Sequence, residues 1–374
     1  MAIWPLTGQT LTCFPSVPEH VSLPFDSADD YLVTHIEALA SSPNTSQVIP
    51  QRLILNDRHG ALACAFPGSS WWSDSYCANV ARQNNLESNQ SAASRTALSW
   101  NQLSEPSNHS HSQSQYQQVL IRIPKQREQL QAQLQLIAHI APEAQVLLAG
   151  MAKHIPVALL NWLETHSEHY QQYPIRRKAR LIEISGLGGF SALKATTPGY
   201  QVNEFKLHAA PGVFCADRLD PGARAFIPFL PKHITGTLCD LGCGNGVLSL
   251  HLAKNNPDAR IIATDDSELA TIAARSNLAA NQLAGEVRHG NVLSAVSEPL
   301  DWIVCNPPFH DGHKQLTNIA TTMFQQSHKA LTAQGVLQVI ANRHLPYQGP
   351  LKKLFRSVKV VSADKKFVVF ECRK

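Results

Sequence analysis

The stretch that most constrains this chain is Leu238 to Gly246, LCDLGCGNG. It begins apolar, as the end of a buried strand does, and then turns through Gly242, Gly244 and Gly246. Apolar residues at Val247, Leu248, Leu250 and Leu252 follow and predict a helix that opens there. A strand, a glycine loop and a helix in that order bring backbone close to a ligand, because no Cβ intervenes. The loop and the first helical turn are expected to offer unpaired N–H groups to that ligand.

The spacing narrows the ligand. A dinucleotide-binding loop reads G-x-G-x-x-G, whereas this one reads G-x-G-x-G with Asp240 two residues ahead. An acid there repels a pyrophosphate and suits a cationic ligand end, such as the amino group of S-adenosylmethionine. Further on, Asp265 ends the apolar run in RIIATDD. In nucleotide-type folds a carboxylate there accepts both ribose hydroxyls. Asp266 or Ser267 is left to cap the next helix. Asn291 follows the strand-like VRHG, where a polar side chain reaches for an adenine amine.

A second motif, DWIVCNPPF (301–309), runs an apolar strand straight into Asn306, Pro307, Pro308 and Phe309. Prolines cannot continue a strand, so the backbone is stiff where the sheet ends. An ordinary proline turn has the same residues. Its place after a strand and downstream of the glycine loop favours a site. There the Asn306 side-chain oxygen and the Pro307 carbonyl accept the two hydrogens of an exocyclic amine. The amine lone pair, otherwise delocalised into the ring, is then aimed at an electrophile. Phe309 offers a face for a base to stack on. Such a site works by positioning and fixed dipoles rather than by a general base.

The chain has 374 residues, enough for two domains with full cores. Its 44% hydrophobic and 16% charged composition excludes a disordered chain. A net charge of +4 permits a nucleic-acid partner without requiring one. The eight Cys include no C-x-x-C pair, which argues against zinc and for a reducing cytoplasm. The N-terminus has no secretory pattern, and no apolar run approaches the roughly 18–20 residues of a membrane span. No metal and no membrane partner are expected. His109 and His111 lack further ligands at metal-site spacing.

In order along the chain, helical spacing marks 28–40, and RLILNDRHGALACAF (52–66) reads as strand, turn, then strand or helix. A short block at 71–80 precedes a polar loop at 83–118, rich in Ser, Asn and Gln, with one weak element near 92–100. Strands are expected at 119–123, 145–149 and 179–184, helices at 127–139 and 155–163, and a linker at 186–199. The second half alternates strands at 236–241, 260–264, 286–289, 301–305, 335–341 and 366–371 with helices at 219–230, 246–255, 267–281, 316–331 and 349–356. That pattern predicts a largely parallel sheet with helices on both faces.

A faint repeat lays LILNDRHGALA (53–63) on CDLGCGNGVLS (239–249), VLIRIPK on WIVCNPPF, VLLAGMAKHI on LQVIANRHL, and RKARLIEI on KKFVVFE. Asp240, Gly242 and Gly244 then correspond to Ile54, Asn56 and Arg58. The first copy keeps the strands and loses the loop chemistry.

On DLGCGNG and NPPF, the second half resembles the class I S-adenosylmethionine-dependent methyltransferases. With GVFCADRLDPGARAF (212–226), CNPPFHDGH and IANRHLPY, the whole chain is similar to the bacterial ribosomal RNA guanine-N2 methyltransferases. These are built of two tandem Rossmann-like folds, the first degenerate. The wording sides with the 23S enzymes over their 16S relatives. The resemblance implies an α/β chain with a degenerate, RNA-recognising domain at 1–187 and a catalytic domain at 188–374. It implies S-adenosylmethionine held by Phe214, Asp240, Gly242, Cys243, Gly244, Asp265, Asn291 and Asn306, and guanine held by Asn306, Pro307 and Phe309. RNA would lie on Arg122, Lys125, Arg176, Arg177, Lys178 and Arg180, with Lys352 and Lys353, and on Arg343 and His344 at a strand end. Rival readings are amine methylation of adenine or glutamine, and a non-catalytic RNA-binding or assembly module.

Overall fold

Two runs of alternating strands and helices give two units, Met1–Thr196 and Thr197–Lys374. The computed structural model describes the chain except residues 19, 42–48, 91–96, 105–115, 194–197 and 309–312, and except the side chains of 313–318.

In the first unit a short ribbon of β1 (Ala2–Ile3) and β2 (Thr10–Leu11) precedes α1 (Ser27–Ala40). Then come β3 (Arg52–Leu55), α2 (Ala61–Ala65), β4 (Ser70–Trp72), α3 (Tyr76–Ser88) and α4 (Trp100–Ser104). The unit closes with β5 (Gln118–Arg122), α5 (Arg127–Ile140), β6 (Gln145–Met151), α6 (Val157–His166), β7 (His169–Gln172), β8 (Ala179–Ser185) and α7 (Gly188–Ser191). The sheet order is β4-β3-β5-β6-β8-β7, parallel through β6 and antiparallel in the last hairpin.

The second unit opens with a hairpin of β9 (Gly199–Val202) and β10 (Phe205–His208), then α8 (Pro221–Phe226). After it come β11 (Gly236–Leu241), α9 (Val247–Asn255), β12 (Ala259–Asp265), α10 (Glu268–Ala280), β13 (Glu286–His289) and β14 (Leu300–Cys305). The last elements are α11 (His313–Ala330), β15 (Leu331–Asn342), α12 (Gln348–Leu354), β16 (Ser357–Ala363) and β17 (Phe367–Arg373). The sheet order is β13-β12-β11-β14-β15-β17-β16, again parallel up to the closing hairpin. Burial on both faces explains the near-continuous apolar runs of β11, β14 and β15.

The register turns the faint repeat into a residue-by-residue correspondence. Leu53 pairs with Val119 as Cys239 pairs with Ile303, so Arg122 stands where Asn306 stands. Asn56 and Gly242 both follow their strand with positive φ, and both donate N–H to the neighbouring strand, at Trp72 and Thr264. Gly60 and Gly246 both start a helix at positive φ. A Cβ would meet the Arg82 backbone at 2.5 Å in one and the Ala274 backbone at 2.9 Å in the other. Only glycine permits that approach of helix to helix.

Buried amides repeat too. Asn85 brackets the backbone of Thr12 and reaches the His59 carbonyl. Asn277 brackets His208 and reaches Asn245 in the same way. Among the described residues, the place of the seventh strand in the first unit is held by one parallel bridge, Trp71 to Ala97.

Several expectations need correction. Helix α3 runs on to Ser88, inside the stretch expected as polar loop, because Asn85 and Leu86 are buried. The linker expected at 186–199 contains α7, whose Phe190 packs edge-on against Trp162, so 188–191 belongs with the first unit. Strands β7, β9, β10 and β16 were not expected. They are short or half-exposed edges whose alternation is polar. The weak element expected at 92–100 is represented by the Ala97 bridge and by the start of α4 at Trp100. His109 and His111 lie outside the described residues.

The paired glycines generate a test. Alanine at Gly60 or Gly246 should destabilise its own unit by about 2–5 kcal/mol, from positive-φ strain plus overpacking. Hydrogen exchange reads this as lost protection in β3 and α3 for Gly60→Ala, and in β11 and α10 for Gly246→Ala.

Candidate active site

Leu241 pairs with Cys305 across adjacent parallel strands, so the glycine loop and Asn306 leave the sheet side by side. Parallel neighbours lie about 4.8 Å apart, which makes the two motifs walls of one crevice at the carboxyl end of the sheet.

Four of the loop's amides are already engaged within the fold. The N–H groups of Gly242 and Cys243 go to Thr264, that of Gly244 goes to Asp265 Oδ2 at 2.8 Å, and that of Gly246 goes to Cys243. What it offers is room, since a Cβ on Gly244 would meet nothing within 4 Å. A loop with most of its donors engaged, beside the carboxylates of Asp240 and Asp265, disfavours phosphate. It suits a cationic ligand.

Asp265 braces this loop. Its second oxygen accepts from Ser267 N–H at 2.9 Å. Two further lone pairs remain for ribose hydroxyls. Burial raises its carboxyl above the usual range. Ser267 caps α10, and Asp266 does not. Asp240 is wholly buried, and Ser249 Oγ donates to its Oδ2 at 2.5 Å. Burial first, and Asp265 second, push its carboxyl up to about 7. Its Oδ1 is buried with no partner among the described residues.

The remaining expected residues divide. Asn291 lies just past β13, beside Gly290, whose N–H donates to the Asp265 carbonyl. Phe214 is half exposed on the segment before α8. That segment is tied to the glycine loop by Asn245 Nδ2, which donates to the Cys215 carbonyl and to Tyr200 Oη. Cys243 uses its N–H and carbonyl within the fold and keeps its thiol in the core. Burial holds that thiol well above its usual pKa. Pro307 is buried beside Asn306, and Phe309 lies outside the described residues.

Asn306 is the centre of the second wall. Its Nδ2 donates to Asp220 Oδ2 at 3.0 Å. Its Oδ1 is buried and has no partner among the described residues. A buried acceptor without a partner among the described residues can take a ligand donor. Sequence reasoning missed Asp220, Asn245, Tyr200, Ser249 and Asn277. For Asp220 the signal was present, since an acid directly before Pro221 is a helix cap. Its reach to Asn306 across 86 residues was not legible.

The family model of the methyltransferase small domain matches residues 204–371, and that of the RLMG N-terminal domain matches residues 4–187. The chain is 36% identical to the ribosomal RNA large subunit methyltransferase G of Ectopseudomonas mendocina, over 99% of this chain and 98% of that one. It is 38% identical to the protein of that name from Pseudomonas fluorescens, over 94% and 93%. The chain belongs to the ribosomal RNA large subunit methyltransferase G family. In fold, this family member matches the T. thermophilus 16S rRNA N2 G1207 methyltransferase, solved with AdoMet and guanosine. The TM-score is 0.73 at 20% identity, over 93% and 92% of the two chains. The fold is thus two tandem methyltransferase-like folds. Among the described residues no helix is long and apolar enough to cross a membrane, and no side-chain group could hold a metal.

S-adenosylmethionine is the cofactor of this family's chemistry, and the second unit fits it. Asp240 Oδ1 awaits a cationic partner, Asp265 has lone pairs to spare, and Gly244 leaves open space. The first unit does not fit. At the position of Asn306 its Arg122 donates to Asp26 at 3.0 and 2.8 Å and also pairs with Asp29. A partly buried ion cluster fills the slot.

Titration should therefore find one cofactor per chain. The sign of the pH effect follows from Asp240. A carboxyl raised to about 7 in the fold favours the folded state fully below pH 3.8, and this contribution is lost as pH rises through 7. A cationic cofactor needs the ionised form, so affinity should rise with pH through that range. Asp240→Asn should raise the unfolding midpoint at pH 8, weaken cofactor binding about ten-fold or more, and flatten its pH dependence. Calorimetric titration at pH 6 and 8 checks the affinities, and thermal unfolding at pH 8 checks the midpoint.

Proposed function

We propose that the second unit methylates the exocyclic N2 amine of a guanine in large-subunit (23S) ribosomal RNA. The observation that carries this is the bare, buried Asn306 Oδ1 on the strand next to the glycine loop. Kinship at 36–38% identity to large subunit methyltransferases supports the choice of RNA.

Bound S-adenosylmethionine supplies an electrophilic methyl carbon. The chain's own residues then have a task of placement. Asn306 Oδ1 and the Pro307 carbonyl take the amine hydrogens and turn the nitrogen lone pair toward the methyl side of the crevice. Phe309 stacks on the base. The target guanine must leave its stack or lie in a loop to enter. Holding donor and acceptor in line accounts for the rate without a tuned base.

Two equivalent hairpin tips offer cations to the RNA backbone. In the first unit Arg177 and Lys178 sit at a tight turn, both with positive φ, a conformation costly for such residues. In the second unit their counterparts are Lys365 and Lys366. With Asn342, Arg343 and His344 these line a cavity of about 450 Å³. Its Asn342 lies three residues past Val339, the partner of Cys305, and so about 10 Å further along the direction of β15. Arg122, expected on RNA, is withdrawn, since Asp26 and Asp29 hold it. Lys352 and Lys353 are exposed on α12. The filled slot of the first unit favours a non-catalytic, RNA-positioning role for that half alone.

Asn306→Ala should lower kcat at least ~100-fold, the scale of one preorganised dipole, and change cofactor affinity by less than about three-fold. Mapping N2-methylguanine in 23S RNA from cells with and without the gene, then restoring it in vitro, tests the reaction itself. Methyl groups found in 16S RNA or on another base sink the reading. Alanine at Arg343, Lys365 and Lys366 together should reduce the slope of log affinity against log salt by about 2. An unchanged slope removes that cavity from the RNA path.

A further inference from the structure

Asn306 carries both a donor and an acceptor, and a half-turn of its amide exchanges them. Nothing in the residue itself decides which end meets the substrate. We propose that Asp220 decides it. Its carboxylate ties down Nδ2 and leaves only Oδ1 for the base, so the slot takes a hydrogen-bond donor and rejects an acceptor. The proposal rests on the amine-slot reading above and adds the residue that gives the slot its polarity.

The geometry is specific. Asp220 Oδ2 accepts from Asn306 Nδ2 at 3.0 Å and from Ala223 N–H at 2.8 Å. A carboxylate only accepts, so turning the amide over would set oxygen against oxygen in a buried site. Asp220 cannot yield easily, because it is the N-cap of α8, with Pro221 fixing the first helical position. It is 8% exposed.

The other unit gives an independent view of the same device. Asp26 is the N-cap of α1 and accepts from Ala28 N–H at 2.7 Å. Its oxygens also accept from Arg122, the residue at the register position of Asn306. In both units a helix-capping carboxylate takes a donor from the residue at the same register position at the carboxyl end of its strand. A guanidinium has no acceptor left to give, and that slot is closed. An amide has one, and that slot is open. The difference between the two halves thus reduces to what the strand-end side chain retains once the carboxylate has taken its share.

The consequence is a preference for bases bearing an amine where the slot is. Hypoxanthine matches guanine except that the N2 amine is missing, which makes inosine the natural probe. Wild-type protein should bind an rRNA fragment with guanosine at the target about 10-fold or more tighter than one with inosine, the usual scale for a lost partner to a buried acceptor. In Asp220→Ser the hydroxyl still caps α8 but does not hold the amide. The guanosine preference should fall below about three-fold and kcat should fall about ten-fold or more, with cofactor affinity unchanged. In Asp220→Asn the side-chain oxygen still accepts from both N–H groups, and both properties should be rescued.

Retention of wild-type kcat and preference by Asp220→Ser overturns the proposal, as does loss of preference in a folded, cofactor-binding Asp220→Asn. Should the serine variant not fold, the wild type still decides. A protein that methylates guanine N2 yet binds the inosine fragment equally well has no donor-reading slot. Wild type that methylates no guanine sinks the reaction instead, which keeps the two failures apart.

Discussion

Everything in the second unit depends on two parallel strands that stop at the same level. Because Leu241 and Cys305 are paired, whatever follows them is held a few ångströms apart by the sheet itself. No flexible arm has to find its place. The glycine turn makes one wall, the stiff Asn-Pro-Pro turn makes the other, and the sheet hydrogen bonds fix the gap. A displacement of one residue in that register would turn Asn306 away from the crevice. The flanking interactions serve the same end. Asp265 clamps the glycine turn, Asn245 ties it to the segment bearing Phe214, and Asp220 steadies Asn306.

What the sequence disclosed and what it hid follow from the range of each interaction. The strand, glycine loop and helix around Gly242 were legible because every signal lay within a dozen residues. So was the stop at Pro307 and Pro308. The faint repeat was legible down to single positions, as the shared bonds of Asn56 and Gly242 to the next strand bear out. The fate of the Gly242, Cys243 and Gly244 amides was not, since their acceptors, Thr264 and Asp265, sit on β12. Asp220 and Asn306 are 86 residues apart and meet only once the sheet is formed. The edge strands β7 and β16 lacked a strong apolar alternation, because half of each faces water. The polar composition of 83–118 masked buried Asn85, which earns its place through three backbone contacts rather than through hydrophobicity.

The two units show how one scaffold gains or loses chemistry by very few side chains. Both retain the glycine at the helix start, the bracketing asparagine and the capping acid, and these are the parts that packing demands. They differ at Ile54, Asn56 and Arg58 against Asp240, Gly242 and Gly244, and at Arg122 against Asn306, the parts that a ligand would touch. Stability therefore does not hold the ligand-contacting positions in place, and the first copy was free to fill its crevice with a guanidinium and two carboxylates.

One further consequence follows from the acids enclosed near the glycine loop. Asp240 and Asp265 raise each other's cost of ionisation while no cation stands between them. A ligand that binds only the folded chain deepens its stability by about 2.7 kcal/mol at a hundred times its dissociation constant. When methyl donor runs short, the second unit loses that contribution. Cleavage by housekeeping proteases, which sample open forms, would then tie the lifetime of the enzyme to the supply of its own fuel.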